Sequence, residues 1–375
     1  MNKLVIIGAN DFQNQLILKA KSLGYETHVF AWKDGSIGER TADYFYPISI
    51  IEKDQILDKC REINPVGVCT IASDLAANTV TYVSQKLGLC SNSIESIEKC
   101  SNKFSMRKAL EEAGVNVPKY YKALSLNDVD LGNISFPIIV KPTDRSGSRG
   151  ITMLMNADAL NEAIDRAKKD SFENKAIVEE YFEGEEYSAE CISYKGKHKL
   201  LAVTKKFTTG SPNYIETAHC EPSGLSDDVI INIENELYKA LDALGIQYGA
   251  SHPEFKVDDD GNIKIIEIGA RMGGDCIGSD LVPLSTGFDF VKMVIDVACG
   301  NEPDFTKHPH HKSACIKFIF SEEDIEKLNK FKAENKANIV RISDMELDNL
   351  GKTVDSSSRI GYYIFVDMDN MLGGN

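Results

Sequence analysis

The sequence predicts a protein of mixed α/β and α+β class. It has a Rossmann-like opening, an α+β body built around a long hairpin, and a small C-terminal α+β segment. Three observations carry this. Short apolar runs alternate with helical patterns over the first 70 or so residues, the signature of a parallel sheet with right-handed crossovers. The middle of the chain instead shows strands that follow one another closely, separated by turn residues. Residues 248–271 read as two strands folded about Asp260-Gly261, a dipeptide that suits a two-residue type I′ turn. At 375 residues the chain is long enough for two or three domains. The expected divisions are 1–92, 93–305 and 306–375, with a small lobe at 115–182.

Residues 3–7 form the first expected strand, followed by Gly8-Ala9-Asn10 and a helix from Asp11 in which Phe12, Leu16, Ala20 and Leu23 fall at helical spacing before Gly24. Thr27–Ala31 and Val66–Ile71 are further strands. A new unit opens near Ser93, with a helix over Asn102–Glu112 closed by Gly114. Pro137–Pro142 is a strand ending in Lys141, Asp144–Gly150 a small-residue loop, and Ile151–Met155 the returning strand. Leu160, Ala163, Ile164 and Ala167 mark one helical face. Ala176–Tyr181 and Glu186–Tyr194 are strands, and Ile230, Ile233, Leu237, Leu241 and Leu244 form the buried stripe of a long helix before the hairpin.

A hydrophobic content of 42% suits a packed core, and a net charge of −15 disfavours nucleic acid or an anionic membrane as partner. No apolar run is long enough to span a bilayer, and the N-terminus reads as a strand rather than a signal peptide. The nine cysteines are scattered without a Cys-x-x-Cys pair, which predicts reduced thiols in a cytoplasmic protein. His308, His310 and His311 read as a solvated loop. Gly8-Ala-Asn-Asp-Phe-Gln lacks the glycine fingerprint of a dinucleotide site, which disfavours a nicotinamide enzyme.

The chemistry concentrates on the hairpin. Counting equal steps outward from a turn centred on Asp260-Gly261 places Glu254 directly opposite Glu267. Two bare carboxylates so placed repel, whereas a divalent cation between them reverses the sign. Arg271 points to the same side if the strand continues. Glycines in the 144–150 loop allow backbone N–H groups to cradle an anion, so Ser146, Gly147 and Ser148 are candidate phosphate contacts, with Lys103 and Lys141 beside them. The boundary around Glu179, Glu180, Tyr181 and Phe182 offers backbone groups suited to an adenine edge, and Glu186 suits ribose hydroxyls.

The order of these pieces, from Lys103 through Lys141, the Gly/Ser loop, Val-Glu-Glu-Tyr-Phe182 and Glu254 to Glu267-Ile-Gly-Ala-Arg271, resembles the ATP-grasp superfamily over roughly residues 95–300. Gly249-Ala-Ser-His-Pro-Glu254 and Glu216-Thr-Ala-His-Cys-Glu-Pro-Ser223 look most like its L-amino-acid ligase and carnosine-synthase-like branch. The resemblance implies a pre-ATP-grasp N-terminal domain, an ATP-grasp fold, and ATP with Mg²⁺ or Mn²⁺ as cofactors. It further implies Glu254 and Glu267 as metal ligands, Lys141 and Arg271 in catalysis, and a homodimer. Glu216, His219, His252, Arg271 and Arg359 are the expected substrate contacts. One departure stands out: Gly269 occupies the position where the family usually has a metal-binding asparagine.

The expected reaction is ADP-forming ligation of a small carboxylic acid, such as an amino acid, to an amine through an acyl-phosphate. A ligase for a sugar uronate or other biosynthetic acid is the same-class alternative. A catalytically silent ATP-binding sensor is the alternative from another class, and Gly269 is what keeps it open.

Overall fold

The structure is a computed structural model that describes residues 1–145, 150–210, 215–335, 338–351 and 358–366. Three sheets organise it. The first is parallel, with strand order β3-β2-β1-β4, formed by β1 (Lys3–Ile7), β2 (Glu26–Phe30), β3 (Tyr44–Tyr46) and β4 (Gly67–Cys69). The second is antiparallel, order β5-β8-β6-β7, formed by β5 (Tyr120–Ala123), β6 (Ile138–Pro142), β7 (Thr152–Leu154) and β8 (Ala176–Glu180). The third joins eight strands in the order β13-β12-β9-β10-β11-β14-β16-β15. They are β9 (Glu185–Tyr194), β10 (Lys197–Thr208), β11 (Glu216–Glu221), β12 (Gly249–Val257), β13 (Ile263–Gly269), β14 (Ala314–Ile319), β15 (Ile339–Ile342) and β16 (Gly361–Val366). The strands after residue 306 extend the large sheet instead of forming a layer of their own.

Each sheet is anchored by helices whose buried faces follow from sequence spacing. The helix Asp227–Leu244 buries Ile233, Leu237, Leu241 and Leu244 against the large sheet, where Tyr187 and Phe255 stack at 6.2 Å. The helix Leu160–Asp170 buries Leu160, Ala163, Ile164 and Ala167 against the second sheet. Asn102 caps the helix Lys103–Glu112 by accepting a hydrogen bond from the Ser105 amide. That cap fixes where Lys103 leaves the helix, and the Lys103 amide also donates to the Thr143 carbonyl at 2.7 Å, tying the helix start to the end of β6.

Three expectations are corrected. The hairpin turn is longer than two residues. Asp258 faces Asn262 with backbone bonding between them, the Gly261 amide donates back to the Asp258 carbonyl, and Gly261 takes φ +80°. The Asp258 carboxylate organises this loop by accepting from the Asp260 and Asn262 amides. That shifts the pairing by one residue, as in Val257 opposite Ile263, and a β-bulge between Glu254 and Phe255 shifts it back. Glu254 therefore does face Glu267, through two offsets that cancel. The second correction is β10 and β11, which were not expected. Lysines at both ends of Lys197–Thr208 and a bulge between Leu200 and Ala202 break the alternation that marks a strand. The third is Cys220 and Cys315, expected as thiols. They are cross-strand partners on β11 and β14, with Cα atoms 4.2 Å apart, and form a disulfide. Their 95-residue separation gives sequence reasoning no cue.

Phe255 is fully buried at the junction of hairpin and helix, so Phe255→Ala is expected to cost about 3–5 kcal/mol. Urea denaturation followed by circular dichroism measures it.

Candidate functional site

A cleft of about 1210 Å³, mouth included, opens between the second and third sheets. Its apolar lining is Ile139 of β6, Ile151, Ile266 of β13, Tyr181 and Phe182. Its charged lining includes Lys103, Lys141, Lys206, Glu254, Glu267 and Arg271. Apolar walls together with several cations and two facing carboxylates are complementary to a nucleotide carrying a metal on its phosphates.

The carboxylates are positioned by the β12–β13 register. Each is held by a lysine: Lys206 Nζ lies 2.8 Å from Glu254 Oε1, and Lys103 Nζ 3.0 Å from Glu267 Oε1. Burial alone would push the Glu254 carboxyl up, but the Lys206 ammonium overrides it and holds the group well below the usual carboxylate range. Among the described residues no three His, Cys, Asp or Glu side chains converge to hold a metal unaided. The pair fits a cation that brings phosphate ligands with it.

Comparison with known proteins agrees with this geometry. Residues 134–280 match the ATP-grasp domain family. This chain carries an ATP-grasp domain. Alanine–anticapsin ligase of Bacillus subtilis is 27% identical over 319 residues, covering 76% of this chain and 67% of that protein. The L-amino acid ligase of Bacillus licheniformis superposes with a TM-score of 0.83 at 22% identity, covering 99% of this chain and 94% of that one. Phosphoribosylglycinamide synthetase from Anaerococcus prevotii superposes with a TM-score of 0.79 at 23% identity, over 98% and 95% of the two chains.

Within the ATP-grasp cleft the sequence-derived residues divide. Lys103, Lys141, Glu180, Tyr181, Phe182, Glu186, Glu216, His252, Glu254, Glu267 and Arg271 all line it. Ser146, Gly147 and Ser148 lie outside the described residues. Glu179 is a correction. It is not among the residues lining the cleft and is 3% exposed, with Arg107 Nε at 2.5 Å and Lys141 Nζ at 2.6 Å. Burial opposes its charge, yet the two cations hold its carboxyl down at about 2. Its backbone is paired on both sides, to Tyr120 and Ile139. Strand alternation explains the error: in an adjacent pair on a strand, Glu179 and Glu180 must face opposite ways. Glu179 instead positions Lys141.

His219 and Arg359, expected as substrate contacts, are not among the residues lining this cleft. His219 is 1% exposed, packs edge-on to Phe318, and has Nε2 3.4 Å from Asp275. Arg359 lies over the Phe318 ring at 3.5 Å and pairs with Asp275 at 2.7 Å and Glu216 at 3.3 Å. Arg359 thus meets the cleft lining at Glu216.

Arg271 arrives by a different route from the one expected. β13 ends at Gly269, and the arginine folds back to a two-point pair with Asp74, at 2.9 and 3.1 Å, from the N-terminus of the helix Asp74–Leu87. Gly269 makes room for it. A Cβ there would sit 3.0 Å from Asp74 Oδ1 and 3.1 Å from the guanidinium carbon. The position where the family usually has an asparagine is thus taken up by an ion pair with the first sheet's helix.

Sequence reasoning missed Lys206, Lys256, Asp74, Arg107 and Glu190. Lys256 donates to the Tyr181 hydroxyl at 2.9 Å and the Phe182 carbonyl at 3.2 Å, and lies over the Tyr181 ring, bracing the apolar slot. Glu190 is fully buried, 2.5 Å from His252 Nδ1, and accepts from the Gly273 amide at 3.0 Å. Burial alone would lower the His252 pKa, but Glu190 raises it above its ordinary value. Alternation along β12 and β10 was the one available signal, since Lys256, Glu254 and His252 share a face.

Two tests follow from these buried charges. Arg107→Met leaves Glu179 with one cation, and the loss of a buried partner is expected to cost about 3–5 kcal/mol in denaturant unfolding. Glu221, deep beside Thr204 and Ser285, is pushed by burial from its ordinary 4.5 up to about 8. A group whose pKa is raised by folding stabilises fully below its unfolded value and loses that contribution as pH rises through the folded value. Stability should therefore fall between about pH 4.5 and 8, by a few kcal/mol from this group. Glu221→Gln should flatten that slope and be the more stable protein at pH 8.5, as read by thermal unfolding across pH.

Proposed function

We propose that this chain is an ATP-dependent, ADP-forming carboxylate–amine ligase that joins an amino acid or similar small acid to an amine. The observation that carries the reading is the register-opposed Glu254 and Glu267 in a cleft that Lys103, Lys141, Lys206 and Arg271 also line. The relatedness to alanine–anticapsin ligase supports the substrate class. Ile139, Ile151, Ile266, Tyr181 and Phe182 would enclose adenine, and Glu186 would take the ribose. Glu254 and Glu267 would hold Mg²⁺ or Mn²⁺, which supplies charge neutralisation for the phosphate chain.

A carboxylate oxygen of the acid attacks the γ-phosphorus, the bond to the β,γ-bridging oxygen breaks, and ADP leaves. Phosphorylation matters because a bare carboxylate offers the amine only oxide as leaving group. The amine nitrogen then attacks the acyl carbon, a proton leaves the nitrogen, and phosphate departs with the electron pair of the C–O bond. The protein positions the reactants and balances charge. Lys141, fixed by Glu179, meets phosphate oxygens, and Arg271 meets the oxygen that becomes negative at the tetrahedral carbon once it lets go of Asp74. The small sheet folds over the cleft and keeps water from the acyl-phosphate. The resemblance to ATP-grasp ligases also makes a homodimer the expected assembly. Among the described residues no helix is long and apolar enough to cross a membrane.

ADP release with Mg²⁺-ATP and pooled L-amino acids tests this. Release that depends on the added amino acids and falls by roughly 100-fold or more in Glu267→Ala is the expected outcome. Tight ATP binding with no stimulated release would favour the silent sensor, and release stimulated only by uronates the sugar-acid ligase. Light scattering on the purified protein checks the dimer.

A further inference from the structure

Lys206 sits on β10 with 3% of its side chain exposed, at the floor of the cleft. Its ammonium lies 2.8 Å from Glu254, 3.1 Å from Glu186 and 3.9 Å from Glu216. Across the hairpin, Lys103 Nζ lies 3.0 Å from Glu267 Oε1. Among the described residues six acidic side chains (Asp74, Glu180, Glu186, Glu216, Glu254, Glu267) and six lysines or arginines (Lys103, Lys141, Arg145, Lys206, Lys256, Arg271) line the cleft. With His252 left aside, the two signs are equal in number, so a cation joining Glu254 meets a charge already in place.

We propose that Lys206 is the protein's own stand-in for the metal: it neutralises Glu254 while the cleft is empty and is displaced from it when a nucleotide brings a divalent cation, its charge then passing to the nucleotide's phosphates. This rests on the metal and nucleotide reading given above. Two consequences follow from charge alone. A free divalent ion must compete with a buried ammonium at hydrogen-bonding distance and binds poorly by itself. A metal arriving with a triphosphate binds well, because the phosphates offer the released lysine a new partner. The exchange therefore couples metal and nucleotide, so that neither occupies the cleft tightly alone. Lysine suits the task, since its ammonium is a point charge on a flexible four-carbon stem and has no fixed fork to reassemble. It also explains how two like charges are kept opposite each other without ligand, an arrangement that would otherwise weaken the hairpin.

A lysine that stays on Glu254 in every state would weaken metal binding by the same factor with and without nucleotide. A stand-in weakens only the binding of metal alone. Mn²⁺ affinity measured by electron paramagnetic resonance, with and without a non-hydrolysable ATP analogue, separates the two in wild type and Lys206→Gln. Lys206→Gln is expected to tighten Mn²⁺ alone by about tenfold or more. It should leave unchanged or weaken Mn²⁺ binding with the analogue, so that the mutual enhancement of the two ligands shrinks by at least that factor. Lys206→Arg should keep the enhancement, and Lys206→Met replaces the glutamine variant if that one does not fold. Equal tightening with and without the analogue would overturn the proposal while the metal site stands. Failure of wild type to hold Mn²⁺ even with the analogue, matching Glu254→Gln, would overturn the metal reading and this proposal with it.

Discussion

Much of this molecule is arranged around two carboxylates of like charge fixed directly opposite each other on a β-hairpin. Glu254 and Glu267 face one another because a loop of Asp258–Asn262 shifts the register one way and a bulge at Phe255 shifts it back. An antiparallel pair of bare acids is unfavourable, so the surroundings must supply positive charge. Lys206 comes from β10 and Lys103 from the helix capped by Asn102. The large sheet and the helix before the small sheet are thereby drawn to one point, and the cleft forms where they meet.

A second tier of buried charge holds the first in place. Glu179, placed between Arg107 and Lys141, aims the strand lysine into the cleft, and Arg107 also reaches the Ile266 carbonyl on the edge strand β13 at 2.5 Å. Glu190 orients His252 and takes the Gly273 amide, and Asp74 holds Arg271 over Gly269. Each link joins elements far apart in sequence. Loss of one partner strands a charge where water cannot reach it, which is why such groups rigidify a site more than they stabilise a fold.

The N-terminal sheet enters the chemistry through Asp74 alone among the charged groups lining the cleft. The crossing matters because Gly269, which as an asparagine would add a metal ligand, instead gives up its space to the Asp74–Arg271 pair. On the proposed metal reading, two protein carboxylates with no third donor at that position would leave phosphate oxygens to complete the shell. The departure from the family pattern is therefore consistent with a metal that arrives on its nucleotide.

Much of this was legible in the sequence: the strand–helix alternation of the first domain, the buried stripe of the helix Asp227–Leu244, and the order of Lys103, Lys141, Glu254, Glu267 and Arg271. The facing of Glu254 and Glu267 was reached through a two-residue turn that the structure does not have, and it holds because the bulge offsets the longer loop. These depend on local periodicity and on short-range register, which side-chain pattern encodes directly. The roles of Glu179, His219 and Arg359, the strands β10 and β11, the Cys220–Cys315 bond and the lysine on Glu254 were decided by tertiary structure. In each case the deciding contact joins segments whose separation in sequence is set by packing. Whether a carboxylate faces the cleft or the core depends on which strand face the sheet turns inward. The sequence determined which charges the cleft has available, and the fold decided which of them stand free to meet a ligand and which are already spent on one another.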